Sequence, residues 1–388
     1  MNLATEFIEH FRAAIPEGIV PLHEPEFYGN ERTYVLDTLD STFVSSVGRY
    51  VDQFESGMAD FVDADYAVAV GNGTLGLHLL LTAMGVRHGD AVITQSLTFV
   101  ATCNAILQSG ASPILLDSAE DSLGLCPEQL KSYLTSETER DHKGVLRSRK
   151  TGLRVAAIMP MHVFGMPANL NAIQSVADEF LLPVVEDAAE ALGTEFQGKR
   201  IGQHTKASVF SFNGNKIVTT GGGGMITTND ETLARRLKSL STTAKQAHPY
   251  EFLHEETAFN YRLPNLNAAL GCAQLEVLPE RLSLKRDLTR HYQSFFSERD
   301  GELLLEPDYG RSNYWLNNIR LSSLKERDRF LEDTNQAGIQ TRPLWRPMHM
   351  TPFLQPCERM TCPVAERSYE QIVSLPSSAN LRQRLCIG

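Results

Sequence analysis

Ser208-Val-Phe-Ser-Phe-Asn-Gly-Asn-Lys216, followed by Ile-Val-Thr-Thr and the glycine run Gly221 to Gly224, is the stretch on which the reading of this chain turns. The apolar run Ser208 to Phe212 leads into a turn of small polar residues carrying a single lysine, and a second strand-like run, Met225 to Thr228, follows. A lysine in a sheltered pocket can lose its proton and attack a carbonyl carbon. Glycines let backbone come close to a bound group. The competing reading is a surface hairpin with a solvated lysine in its turn, so the rest of the chain has to decide.

Upstream, Val184-Val-Glu-Asp-Ala-Ala-Glu-Ala-Leu-Gly193 reads as a buried strand ending at Asp187. A carboxylate there points into the crevice where α/β sheets bind ligands; a helix cap is the alternative. Asp187 together with Lys216 suggests pyridoxal phosphate, which needs a lysine for its aldehyde and an acid for its pyridine nitrogen. Tyr66 to Leu81 reads as strand, glycine turn and helix. Its helix start at Gly73-Thr74-Leu75 offers free N–H groups and a positive dipole end to a phosphate. Ser96-Leu-Thr-Phe99 follows the strand Ala91 to Thr94 and sets an aromatic at the same end of the sheet, either against a flat ring or in the core.

Together these segments resemble the sugar aminotransferases of the DegT/DnrJ/EryC1/StrS family, from Ile19-Val-Pro-Leu-His to Leu375-Pro. The motifs are Asn72-Gly-Thr, Thr98-Phe-Val-Ala-Thr, Glu186-Asp-Ala-Ala-Glu, Ser211-Phe-Asn-Gly-Asn-Lys, Gly221 to Gly224 and Asn260-Tyr-Arg-Leu-Pro-Asn-Leu-Asn-Ala-Ala-Leu-Gly. Pro21-Leu-His-Glu-Pro, Ser41 to Gly48 and Thr341-Arg-Pro-Leu-Trp-Arg-Pro-Met-His349 resemble the enzymes of legionaminic acid and bacillosamine biosynthesis. The resemblance implies fold type I and transfer of an amino group from glutamate to C4 of a UDP-linked 4-keto-6-deoxy-N-acetylhexosamine.

By the same resemblance, Lys216 bonds the cofactor covalently and Asp187 pairs with its ring nitrogen. Phe99 stacks on the ring, and Gly73, Thr74 and Ser211 hold the phosphate. Asn260 reaches the phosphate of the partner subunit in a homodimer with shared sites. His349 and Arg262 are candidate substrate contacts, with a loop histidine of no role as the alternative for His349; His162, at a strand end on the same face, is a candidate cofactor or substrate contact, with a backbone-bonded structural histidine as the alternative. Glu190 stands where many members carry glutamine beside the cofactor's phenolic oxygen. A carboxylate would repel a phenolate unless protonated or turned away.

The strand candidates are 66–70, 91–95, 113–117, 155–160, 182–186, 208–212 and 224–228. Helix-length segments separate most of them, which predicts a seven-stranded, mostly parallel α/β sheet. The glycine-rich link between the last two allows one of them to run antiparallel. Thr135 to Gly152 is polar and charged and reads as a solvated surface insertion. The predicted division is a large cofactor domain over 1–264, including an N-terminal helical segment, and a smaller α+β domain over 265–388.

A net charge of −11 argues against a nucleic-acid surface. The six cysteines have no paired spacing, and Cys357 with Cys362 makes a poor metal site, so no metal is expected. Without a leader pattern or a membrane-length apolar run, the expected location is the cytoplasm.

Gly71-Asn-Gly-Thr-Leu-Gly76 matches the dinucleotide fingerprint, which makes a nicotinamide-dependent sugar oxidoreductase a rival. The acid that fingerprint needs at the end of the second strand is missing. A dehydratase of the same fold would carry histidine where this chain has Lys216. A catalytically dead relative would not be expected to keep Asp187, Ser211 and Lys216 together.

Overall fold

The computed structural model describes residues 2–385. Seven short apolar runs form its central sheet, because each is buried on both faces and neighbouring backbones supply the missing hydrogen-bond partners. The strand order is Tyr66–Val70, Gly224–Thr228, Ala207–Ser211, Val185–Asp187, Arg154–Ile158, Asp90–Gln95 and Ser112–Leu116. Gly224–Thr228 runs antiparallel to both neighbours, with Val70 and Ser211 each opposite Gly224. The other pairings are parallel. The predicted sheet is thus present, and its antiparallel member is the strand that follows the glycine run.

Alternation along the strands puts layers on both faces. Ala69, Phe210 and Met225 point to one side, where Phe54, Met58 and Val62 of helix Arg49–Val62 cover them. Val68, Val70, Val209 and Ile226 point to the other, against helices Gly73–Ala83 and Glu231–Ser241. Parallel strands need crossovers, and the crossovers bring each of the six parallel strands back with its carboxyl end at the same edge, where Gly224–Thr228 begins. That edge carries the site.

The long helix Leu278–Phe296 leads into a four-stranded antiparallel sheet of Glu302–Leu303, Asn317–Arg320, Ile372–Leu375 and Arg342–Pro343, with helices Leu324–Gln336 and Pro363–Gln371. Helix Leu3–Ala14 joins this unit by burying Phe7 and Phe11 against Tyr292 and Phe330. Helix Asn265–Glu276 packs back on helices Glu31–Asp40 and Arg49–Val62. We propose the 1–264 and 265–388 division with these two helices crossing it.

The segment 135–152 is not the solvated loop expected of its polarity. It holds a hairpin, Thr138–Arg140 with Leu146–Ser148. Asp141 ties the turn by accepting from the amides of Lys143 (2.8 Å) and Val145 (3.0 Å). The buried Glu358 anchors the base, accepting from the hydroxyls of Tyr133 (2.8 Å), Ser148 (2.6 Å) and Thr151 (3.2 Å).

Candidate active site

Of the residues singled out in the sequence, Gly73, Thr74, Phe99, Asp187, Glu190, Ser211 and Lys216 line one cavity of about 560 Å³ at the carboxyl edge of the large sheet. One end of it is an anion cup. Asn72 caps helix Gly73–Ala83 by accepting from the Leu75 amide at 2.8 Å. The amides of Gly73 and Thr74 lie ahead of intrahelical bonding, and both residues line the cavity. The cup depends on close approach. A Cβ on Gly73 would stand 3.0 Å from Cβ of Ser211, and one on Gly224 would stand 2.7 Å from the carbonyl carbon of Asn72 and 2.9 Å from the Gly73 nitrogen.

At the other end, Asp187 is buried at the tip of its strand. Its Oδ2 accepts from the Thr102 hydroxyl at 2.6 Å and its Oδ1 from the Ala189 amide at 3.1 Å. Burial pushes its carboxyl above the usual range, against the pull of those bonds and of Lys216. A cationic ring nitrogen would relieve that burial cost.

Lys216 Nζ donates to Oε1 of Glu190 at 3.0 Å and sits 3.9 Å from the centre of the Trp315 ring. Trp315 also fixes the backbone beside the lysine, its indole N–H donating to the Asn215 carbonyl at 2.8 Å. The second oxygen of Glu190 accepts from the Phe164 amide at 2.8 Å, and burial raises this carboxyl too. Phe99, 46% exposed, lies at the mouth with its ring centre 5.7 Å from that of Trp345. An amide cup, a buried acid, a lysine and an aromatic face are the parts a phosphorylated pyridine aldehyde requires, so these residues fit pyridoxal phosphate.

Four predicted residues do not line this cavity. His162 is fully buried behind it; its Nδ1 accepts from the Ala168 amide at 3.0 Å, which leaves Nε2–H to donate to Glu186 at 2.8 Å. With both nitrogens used, the ring is bonded as the structural alternative for His162 expects. His349 is also bonded at both nitrogens, to Ser96 Oγ at 2.6 Å and Glu366 at 3.0 Å, and so ties its turn to the segment at 96 and to helix Pro363–Gln371. Asn260 is exposed on the surface and accepts from Arg262 Nε at 3.1 Å. Its segment runs beside the end of strand Tyr66–Val70 through the Val70–Arg262 bridge.

Sequence reasoning did not assign Thr102, Trp315 or Trp345, although Thr102 closes the quoted Thr98-Phe-Val-Ala-Thr phrase and both tryptophans of the chain end up here. Among the described residues no cluster of three potential metal ligands occurs, and no helix is long and apolar enough to cross a membrane.

The sequence matches the profile of the DegT/DnrJ/EryC1/StrS aminotransferase family over residues 26–385. It is 36% identical to GDP-perosamine synthase of Caulobacter vibrioides over 364 residues, 92% of this chain and 93% of that protein. It is 34% identical to EpsN of Bacillus subtilis, whose name specifies a pyridoxal phosphate-dependent aminotransferase, over 93% of this chain and 92% of that one. Among solved structures, DesV of S. venezuelae superposes with a TM-score of 0.81 at 27% identity, covering 99% of this chain and 94% of that chain. PseC of Helicobacter pylori, at 24% identity and TM-score 0.85 over 95% and 96% of the two chains, shares the fold. The chain is a pyridoxal phosphate-dependent sugar aminotransferase of fold type I and belongs to the DegT/DnrJ/EryC1/StrS aminotransferase family.

Proposed function

We propose that this enzyme moves the amino group of glutamate to C4 of a UDP-linked 4-keto-6-deoxy-N-acetylhexosamine, giving a UDP-4-amino sugar for a surface glycan of the legionaminic acid or bacillosamine type. One observation carries the chemistry: Lys216, Asp187 and the Gly73–Thr74–Ser211 cup meet in a single cavity. When bound, pyridoxal phosphate supplies an electron sink for the carbanion formed at the donor's Cα.

The chain's own residues do the rest. The amides of Gly73 and Thr74 and the Ser211 hydroxyl hold the phosphate. Asp187, oriented by Thr102 and Ala189, keeps a proton on the cofactor's ring nitrogen. Phe99 would lie against the cofactor's ring, and Trp315 and Trp345 give the cavity apolar walls. Lys216 Nζ takes a proton from the donor's Cα and, in the second half of the cycle, delivers one to C4 of the sugar. In a homodimer, Asn260 adds a donor to the partner's phosphate site and Arg262 faces the substrate side.

A GDP-linked keto sugar is the second reading, favoured by relatives at 34–36% identity named GDP-perosamine synthase. Single-turnover reaction of the aminated enzyme with UDP- and GDP-linked 4-keto sugars, read by mass spectrometry, separates the two. Faster conversion of the GDP sugar defeats the UDP assignment. No conversion of any 4-keto sugar defeats both.

A further inference from the structure

We propose that Glu190 is the proton acceptor for Lys216: its Oε1 takes the ammonium proton when the lysine nitrogen must be free, and Glu190 keeps that proton while the nitrogen is bonded to the cofactor. The inference rests on Lys216 being the cofactor's lysine. It concerns a position where glutamine could donate a hydrogen bond but could not take up a proton.

The geometry suits the transfer. Nζ and Oε1 are 3.0 Å apart, and both side chains are withdrawn from water, with 12% of Lys216 and 1% of Glu190 exposed. The carboxyl cannot swing away, because the Phe164 amide holds its other oxygen at 2.8 Å. Among the described residues, Glu190 is the acceptor to which Lys216 Nζ donates. Asp187, the other acid in the cavity, is occupied by Thr102 and Ala189.

The groups facing Glu190 decide which way its proton equilibrium leans. The turn 163–165 offers a backbone amide and the strand at 185–187 offers a second carboxyl, Asp187, while the indole of Trp315 faces Lys216. Lys216 is the cation among them. Moving the proton breaks one N–H bond of Lys216 and forms one O–H bond on Glu190, so the pair stays neutral overall while two buried charges disappear. Burial favours that direction, since each buried ion forfeits its hydration. Once the lysine's charge is gone, an ionised Glu190 would face Asp187 without a cation from Lys216, and burial already raises its carboxyl.

The test is infrared spectroscopy of the holoenzyme near neutral pH in H2O and D2O, on wild type, E190Q and E190D. Borohydride reduction and peptide mapping locate the cofactor's lysine in parallel. The expected result is a protonated-carboxyl C=O band that shifts in D2O, persists displaced in E190D and is absent from E190Q. Loss of the visible cofactor band on adding glutamate should slow at least about tenfold in E190Q, with a changed pH profile. A cofactor on Lys216 with no such band in wild type, or with the same band in E190Q, overturns the inference and leaves the site assignment standing. A cofactor on another lysine overturns both.

Discussion

Gly224→Ala tests whether the glycine run exists to let backbone pass over backbone. The added Cβ would meet three main-chain atoms of the cup: the carbonyl carbon of Asn72 at 2.7 Å, its oxygen at 2.8 Å and the Gly73 nitrogen at 2.9 Å. No flexible side chain can yield there, so the Asn72–Gly73 turn or the strand must move. Overpacking of this kind costs about 1–3 kcal/mol. If the strain lifts the first turn of helix Gly73–Ala83, the cost falls on phosphate binding. At about 1.4 kcal/mol per tenfold, the cofactor Kd should then rise about 5- to 150-fold. Gly222 is the control within the same run, because a Cβ there meets nothing within 4 Å and its backbone is not in the left-handed region. Apoenzyme of each variant would be titrated with pyridoxal phosphate and followed by the visible band, with thermal unfolding measured alongside. A Kd for Gly224→Ala within twofold of wild type, or an equal loss in Gly222→Ala, would refute the close-approach argument.

Lys216→Arg should keep a cation but lose borohydride labelling and turnover, since guanidinium cannot be deprotonated; asparagine at Asp187 should retain cofactor and lower kcat about 100-fold or more, both read by spectra and steady-state rates. Thr102→Val removes the 2.6 Å bond to Asp187 and should cost about 1–3 kcal/mol of transition-state stabilisation, seen as a fall in kcat with little change in the KM for glutamate. Mixed Lys216→Ala and Asn260→Ala chains should regain activity through hybrid dimers with one intact composite site, and recovery no better than either mutant alone would count against Asn260 serving the partner. Burial raises the Glu186 carboxyl, but bonds from His162, Thr205 and Ser208 outweigh it and hold the group below its ordinary 4.5. Its stabilising contribution is therefore full above that value and lost as pH falls through the lower folded-state value, so Glu186→Gln should flatten the acid limb of a Tm-against-pH curve.

What the sequence made legible follows from where each signal lies. The seven strands were readable because buried parallel strands are continuous apolar runs, as in Ala91 to Thr94 and Ser208 to Phe212. The antiparallel member was foreshadowed by a link too short in helix-forming residues to cross the sheet. The hairpin at 138–148 was not readable, because its strands are held by Glu358 more than two hundred residues away, and its own residues look solvated. Asp187, Gly73 and Ser211 were legible because each stands where a strand ends or a helix starts, and topology carries such positions to one edge; Lys216 was legible from the turn that follows the strand ending at Ser211. Trp315 stands on no such landmark. It reaches Lys216 because the Trp315–Leu316 segment packs into the core beside the cavity, far from the lysine in sequence, so local pattern holds no trace of the contact. The histidines show the converse limit. His162 does stand at a strand end on the right edge, yet a buried Glu186 on the neighbouring strand draws its ring backward. Position along a strand fixes which edge a residue reaches; the nearest unsatisfied buried charge fixes which way the side chain turns. The same reasoning makes Glu190 worth testing, because its position was known from the motif, while its turn toward Lys216 emerges once the lysine and the Phe164 amide stand on either side of it.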